Sequence, residues 1–258
     1  MKIVVKVGTS TLAYSTGNLN LRHIERLCRV LSDIKNMGHD VILVSSGAVA
    51  TGIGMLHLRQ RPKEIAAKQA TAAVGQCELM NTYGKVFGQY RHTVAQILLT
   101  SSDFSDDSRH GNFSATMQKL LEMGVLPIIN ENDTVATEEF SIGDNDTLSA
   151  LVAASVGADL LMLFSDIDGL FDRDPSDKDA KLIAEVPQVT EEIFSLAGGS
   201  QSSLGTGGMV TKLNAAKIAN ASGCEMIIAN GERPEILYDI LEKKPCRCTK
   251  FYGKGVSV

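Results

Sequence analysis

Little in this chain points to a staple, a membrane anchor or a nucleic-acid partner. It has five cysteines, Cys28, Cys77, Cys224, Cys246 and Cys248, with no Cys-x-x-Cys among them. An odd set without that spacing excludes a disulfide framework and the common zinc sites. Cys246 and Cys248 come closest, two positions apart as on one face of a strand, and that is not metal-ligand spacing. No apolar run approaches the ~20 residues needed to span a bilayer. Nor does the N-terminus carry the basic-then-apolar order of a secretory leader, because Lys6 interrupts the run Ile3-Val4-Val5. The Asn-x-Ser/Thr triplets at Asn112, Asn132, Asn145 and Asn220 are then chance matches, and the expected compartment is the reducing cytoplasm. Lysine and arginine number 25 against 30 acidic residues, a net charge of −5. A nucleic-acid binder needs a basic surface, which this balance does not suggest.

Signature motifs are missing too. There is no Gly-x4-Gly-Lys-Ser/Thr, and the Gly205 run fails Gly-x-Gly-x-x-Gly because Val210 holds the last position. Protein-kinase signatures are absent, as is the Gly-x-Ser-x-Gly of a serine nucleophile. None of the five histidines sits in a strand-end motif, so each is expected to be an ordinary core or surface residue.

Much of the chain is an alternation of short apolar runs and longer amphipathic stretches. Its 258 residues, 44% apolar and 21% charged, suit one large domain or two intimate lobes. Strands are predicted at Ile3–Val7, Val41–Ser45, Thr93–Leu99, Val125–Asn130, Leu160–Ser165 and Glu225–Ala229. Helices are predicted near Leu21–Met37, Pro62–Phe87, Ser108–Met123, Asn145–Val156, Gly208–Ala221 and Pro234–Leu241. Buried strands alternating with helices define an α/β fold with a mostly parallel sheet. Thr134–Ile142 and Asp166–Lys181 read as hairpins or loops outside the core, and a weak lobe boundary falls near residues 157–160.

Such sheets bind ligands beyond the carboxyl ends of their strands, and the polar segments fall there. Lys6-Val-Gly-Thr-Ser10, with Gly8 and Thr9, follows the first strand. Gly205-Thr-Gly-Gly-Met-Val-Thr-Lys212 precedes a helix. Glycines let amides crowd an anion, a helix N-terminus adds a favourable field, and each loop brings one lysine. Together they suggest a polyphosphate gripped from two sides. Lys6 in a buried strand needs a cleft or a carboxylate, because an unpaired buried ammonium is costly. Gly143-Asp144-Asn145-Asp146 is denser than a helix cap requires and suits an organiser of cations. Asn130-Glu-Asn-Asp133 at a strand end suits a substrate pocket, and Ser45-Ser46-Gly47-Ala48 a nest of amides for a carboxylate.

These elements together resemble the amino acid kinase family. They are Lys6-Val-Gly-Thr-Ser, Val44-Ser-Ser-Gly-Ala-Val-Ala, Ile129-Asn-Glu-Asn-Asp-Thr-Val-Ala, Gly143-Asp-Asn-Asp-Thr-Leu-Ser-Ala and Leu204-Gly-Thr-Gly-Gly-Met-Val-Thr-Lys. The resemblance runs to about residue 250, and the Asn130 and Gly143 motifs point to the glutamate-phosphorylating branch. It implies a three-layer αβα sandwich. Residues 1–157 would form an amino-acid-binding lobe and 158–258 a nucleotide-binding lobe, without the carboxyl-terminal PUA domain of many members. It implies ATP and Mg2+ as cofactors and L-glutamate as substrate, giving L-glutamyl 5-phosphate as the first step toward proline. Feedback by proline and a homo-oligomer, dimer or tetramer, are further implications. Lys6 and Lys212 would flank the transferred phosphoryl group. Asp146 would aim both lysines, and Asp144 would assist. Ser46, Gly47, Asn130, Asp133 and Asn145 would hold glutamate. Lys6, Gly8, Thr9, Ser165, Asp166, Thr206, Gly207, Gly208, Met209, Val210, Thr211 and Lys212 would line the nucleotide site. Two alternatives stay open: a kinase for a related carboxylate such as N-acetylglutamate, and a non-catalytic nucleotide-binding regulator of the same fold.

Overall fold

A computed structural model describes residues 1–14, 16–136, 144–197 and 208–253. Thr206 and Gly207, the glycine of the Gly143 motif and most of the Thr134–Ile142 segment lie outside the described residues. The strands are β1 Lys2–Val7, β2 Asp40–Ser45, β3 Val94–Leu99, β4 Leu126–Glu131, β5 Leu160–Ser165, β6 Glu185–Val186, β7 Glu225–Asn230 and β8 Cys248–Phe251. They form one sheet in the order β3-β4-β2-β1-β5-β7-β8-β6. Every pairing is parallel except β7 with β8. β1 lies between β2 and β5, so connections leave the middle of the sheet in both directions. The carboxyl ends on either side of β1 therefore open a crevice.

The helices are α1 Thr9–Leu12, α2 Leu21–Asn36, α3 Ala48–Met55, α4 Ile65–Gln89, α5 Ser102–Ser105, α6 Asp107–Glu122, α7 Asn145–Val156, α8 Glu191–Leu196, α9 Met209–Ala221 and α10 Ile236–Leu241. None of the described helices is long and apolar enough to cross a membrane. Two buried clusters flank the sheet. One packs Ile3, Val5 and Val7 of β1 against Leu27 and Leu31 of α2, Phe87 of α4 and Leu237 of α10. The other packs Val4 of β1 against Met117 of α6, Leu148 and Val152 of α7 and Leu213 of α9. Helix, sheet and helix thus form three layers. Strand side chains alternate faces, so Lys6 shares the Val4 face, which α7 and α9 cover.

The six predicted strands are present with ends shifted by a residue or so. Two further strands, β6 and β8, are too short to show a period. β8 buries Thr249 through its hydroxyl, which donates to Ile183 O (2.6 Å) and accepts from Leu170 N (2.8 Å). The Asp166–Lys181 loop is irregular as expected, yet it sends Leu170 into the core. Helix α4 begins at Ile65, not Pro62, because Glu64 has extended backbone at its N-cap. All five cysteines are free, with the Cys246 and Cys248 sulfurs 3.4 Å apart.

Helix α3 was not predicted, because Gly52 and Gly54 make Ala48–Met55 a poor helix by propensity. Packing against α4 requires them. A Cβ on Gly52 would fall 1.9 Å from Thr71 O, and one on Gly75 would fall 1.8 Å from Ala48 O. Those contacts are with backbone, which cannot swing aside. This crossing seats the start of α3 beside the crevice. Gly75→Ala is therefore expected to force the helices apart and destabilise the protein by about 1–3 kcal/mol. Denaturant unfolding checks this, and an unchanged midpoint would contradict the close-approach account.

Candidate active site

The site forms where β1, β2, β4 and β5 end and α7 begins. Asp146, in the first turn of α7, is 1% exposed. Lys6 Nζ stands 2.6 Å from its Oδ1 and Lys212 Nζ stands 3.1 Å from its Oδ2. Thr211 Oγ1 adds a hydrogen bond to Oδ2 at 2.9 Å. One lysine comes from the central strand and the other from the first turn of α9, 206 positions later in the chain. Burial alone would push the Asp146 carboxyl up. The charges of Lys6 and Lys212 and the Thr211 hydrogen bond outweigh it and hold the group at about 2. Two ammonium groups on one carboxylate leave the trio at net +1, buried where β1 ends and α7 and α9 begin.

The neighbours of Asp146 have different tasks. Asp144 is the N-cap of α7, accepting from Thr147 N at 2.7 Å and from Thr147 Oγ1 at 3.0 Å. Asn145 holds the strand ends together: its Nδ2 lies 2.9 Å from Ser45 O, 2.9 Å from Ser46 Oγ and 3.0 Å from Asn130 Oδ1. Asn130 in turn donates to Gln76 Oε1 at 2.9 Å. Gly47 has φ 97°, a left-handed conformation that few other residues adopt readily, and it opens α3. Together these residues line a cleft of about 780 Å3, with Thr9, Ser46, Gly47, Asn130, Asp133, Asp144 and Asn145 on its walls. Burial first, and repulsion from Glu131 second, push the Asp133 carboxyl up to about 6, against the pull of Lys68 and Arg61.

The residues expected on the nucleotide side come from the end of β5, the turn after β1 and the start of α9. Ser165, at the end of β5, donates to Asp166 Oδ1 at 3.1 Å. Gly208 caps α9 without a side-chain hydrogen bond, so among the described residues the first-turn amides of Met209 and Val210 have no side-chain cap. A Cβ on Gly8 would lie 3.7 Å from Lys6 Nζ, so its absence opens space beside that ammonium. Bare backbone and two lysines fit a phosphate chain. No group of three or more His, Cys, Asp or Glu side chains among the described residues is arranged around a metal position. Mg2+ arriving with a nucleotide would fit by taking phosphate oxygens and water, as that ion commonly does.

Sequence reasoning missed Gln76, Tyr83 and the cations of the cleft wall. Tyr83 is fully buried, with its hydroxyl 2.9 Å from Ser45 Oγ. Gln69 and Gln76, two helical turns apart in α4, both face β4 and its loop. That spacing of amides on an otherwise small-residue helix face was the available signal.

Comparison with known proteins agrees with this geometry. The model of the amino acid kinase family matches residues 1–230. A curated protein named glutamate 5-kinase from Clostridium perfringens is 54% identical over 245 residues, covering 93% of this chain and 91% of that protein. One of the same name from Caldanaerobacter subterraneus is 53% identical over 238 residues. The match covers 92% of this chain but 64% of that longer protein. A carbamate kinase from Giardia lamblia, solved with AMP-PNP bound, has the same fold at a TM-score of 0.68 and 17% identity, with 98% of each chain covered. The chain belongs to the amino acid kinase family, in the group of its glutamate 5-kinases.

Asp146 couples this site to stability. Its folded pKa lies below the ordinary value of 3.8, so its contribution is full above that value and is lost as pH falls toward about 2. Asp146→Asn leaves two buried ammonium groups uncompensated and is expected to cost about 3–5 kcal/mol at neutral pH. Between pH 4 and pH 2 the variant should lose less stability than the parent. Denaturant titrations across that range check both points, and parallel curves would contradict the assignment.

Proposed function

We propose that this site transfers the γ-phosphoryl group of ATP to the side-chain carboxylate of L-glutamate, giving ADP and L-glutamyl 5-phosphate, the step that feeds proline synthesis in this family. The observation that carries the reading is the single buried carboxylate of Asp146 holding Lys6 and Lys212, directly after Asp144 and Asn145, which line the amino-acid cleft. A side-chain carboxylate has a free pKa of ~4.3 and is ionised at neutral pH, so the attacking group needs no general base. The obstacle is bringing an anion to a polyphosphate. Phosphoryl transfer is mostly positioning and charge stabilisation, and this chain's residues supply both. Lys212, from the helix that follows the glycine loop, stands on the nucleotide side and meets charge growing on the leaving ADP. Lys6 meets the transferred group. Asp146 keeps the two ammonium groups aimed at one point and lowers the desolvation penalty of each. Mg2+ carried with ATP would neutralise phosphate charge.

Asn130, Asn145, Ser46 and Gly47 orient the acceptor carboxylate, and Asp133 receives the α-ammonium. Asp133 is held up near 6 partly by burial, and a bound ammonium opposes that shift. An N-acetylated amine would offer the ionised Asp133 no ammonium to pair with, which favours free glutamate over N-acetylglutamate as acceptor. In an ADP-release assay the protein should respond to L-glutamate and not to N-acetylglutamate, aspartate or carbamate. Lys212→Ala should lower kcat by ~10²–10³ while the fold is retained. A folded variant with unchanged kcat would refute the role of Lys212, and ATP binding without glutamate-dependent ADP release would refute the reading.

A further inference from the structure

We infer that Lys68, with Arg61 beside it, is the seat for the α-carboxylate of the amino acid and so determines specificity for a complete amino-acid head group. This rests on the glutamate reading above and deepens it.

The cleft lining carries charges of both signs. Glu131, Asp133 and Asp144 come from β4, the loop after it and the start of α7, and Arg59, Arg61 and Lys68 from the α3–α4 connection and the start of α4. The cations are concentrated in sequence: Arg59, Arg61, Lys63 and Lys68 against Glu64 give four minus one, or +3, within a chain of net −5. A zwitterionic head group, ammonium and carboxylate on one carbon, matches a lining that holds both signs. Asp133 takes the positive end. Lys68 and Arg61 line the same cleft as Asp133, and their charges act on it, which puts cations in place for the negative end.

Beyond the pull of its charge on Asp133, local structure gives Lys68 no other task. It lies at the start of α4, where a cation opposes the helix dipole and an acid would be favoured, and that first turn holds no acid. It is exposed, and it forms no ion pair among the described residues. Its place is nevertheless fixed. The adjacent Gln69 donates from Nε2 to Ala136 O at 3.0 Å, beyond Asp133 in the same loop. Two turns along, Gln76 accepts from Asn130. These bonds tie α4 to the loop that carries Asp133, and Lys68 and Asp133 line the same cleft. The helix N-terminus and Lys68 then present one positive field to a carboxylate.

The test compares L-glutamate with 4-aminobutyrate, which keeps the ammonium and the acceptor carboxylate but lacks the α-carboxylate. The parent, Lys68→Ala and Lys68→Arg are assayed for glutamate-dependent ADP release, with 4-aminobutyrate measured as an inhibitor against glutamate. Lys68→Ala is expected to raise KM for glutamate about tenfold with kcat within about threefold, as for loss of one charge-assisted contact. Lys68→Arg should recover most of that loss, and the inhibition constant of 4-aminobutyrate should be the same in all three proteins. An unchanged glutamate KM, an Arg variant no better than the Ala variant, or an equal weakening of 4-aminobutyrate would overturn the assignment. Absence of glutamate-dependent ADP release in the parent would overturn the kinase reading and this assignment with it.

Discussion

The site depends on one carboxylate shared by two ammonium groups. Asp146 is almost completely buried, and so are Lys6 and Lys212. Any one of these charges alone in that position would be prohibitively desolvated. Together, with the Thr211 hydrogen bond, they are tolerated, and they leave a residual positive charge where a phosphate can use it. The arrangement is also a geometric constraint. A strand near the middle of the sheet, the first turn of α7 and the first turn of α9 must meet at one point for these contacts to form.

The layers of the fold make that meeting possible. Period-two alternation puts Lys6 on the face of β1 that α7 and α9 cover, so the lysine enters the polar end of an otherwise apolar interface. Asn145, one residue before Asp146, ties the same helix start to β2 and β4 through Ser45, Ser46 and Asn130. The start of α7 is therefore shared between two jobs. Asp146 pairs the two lysines and Asn145 joins the strand ends, a residue apart. The tight crossing of α3 and α4 fixes the segment between them, whose cations Arg59 and Arg61 line the cleft together with Lys68 of α4 and Asp133.

Much of this was legible in the sequence. Six apolar runs gave the six longer strands, and a lysine inside the first run announced a buried partner. The Gly143 motif held more polar residues than a cap needs, and the surplus is visible in the structure. Asp144 caps, Asn145 crosslinks and Asp146 pairs the lysines. Other features had no local signal. Helix α3 is encoded by close approach to α4, which glycine serves and helix propensity disguises. β8 is short and buries a threonine through two hydrogen bonds, so no hydrophobic period marks it. Arg59, Arg61 and Lys68 belong to no motif, and only the fold brings them into the lining of the same cleft as Glu131, Asp133 and Asp144. Tyr83 and Gln76 act through partners far away in sequence, which only the tertiary fold brings near.

If Asp146 aims both lysines at the phosphoryl group in flight, its effect belongs to the transition state and not to ground-state binding. The most direct measurement is the affinity of ADP with aluminium fluoride, a mimic of the transferring phosphoryl group, in the presence of L-glutamate. It is compared in the parent and in Asp146→Asn, alongside the affinities for ATP and for L-glutamate alone. The account predicts a loss of ~10²-fold or more for the mimic, with the two ground-state affinities changed several-fold at most. An equal loss in all three would contradict it, because Asp146 would then only hold the site together.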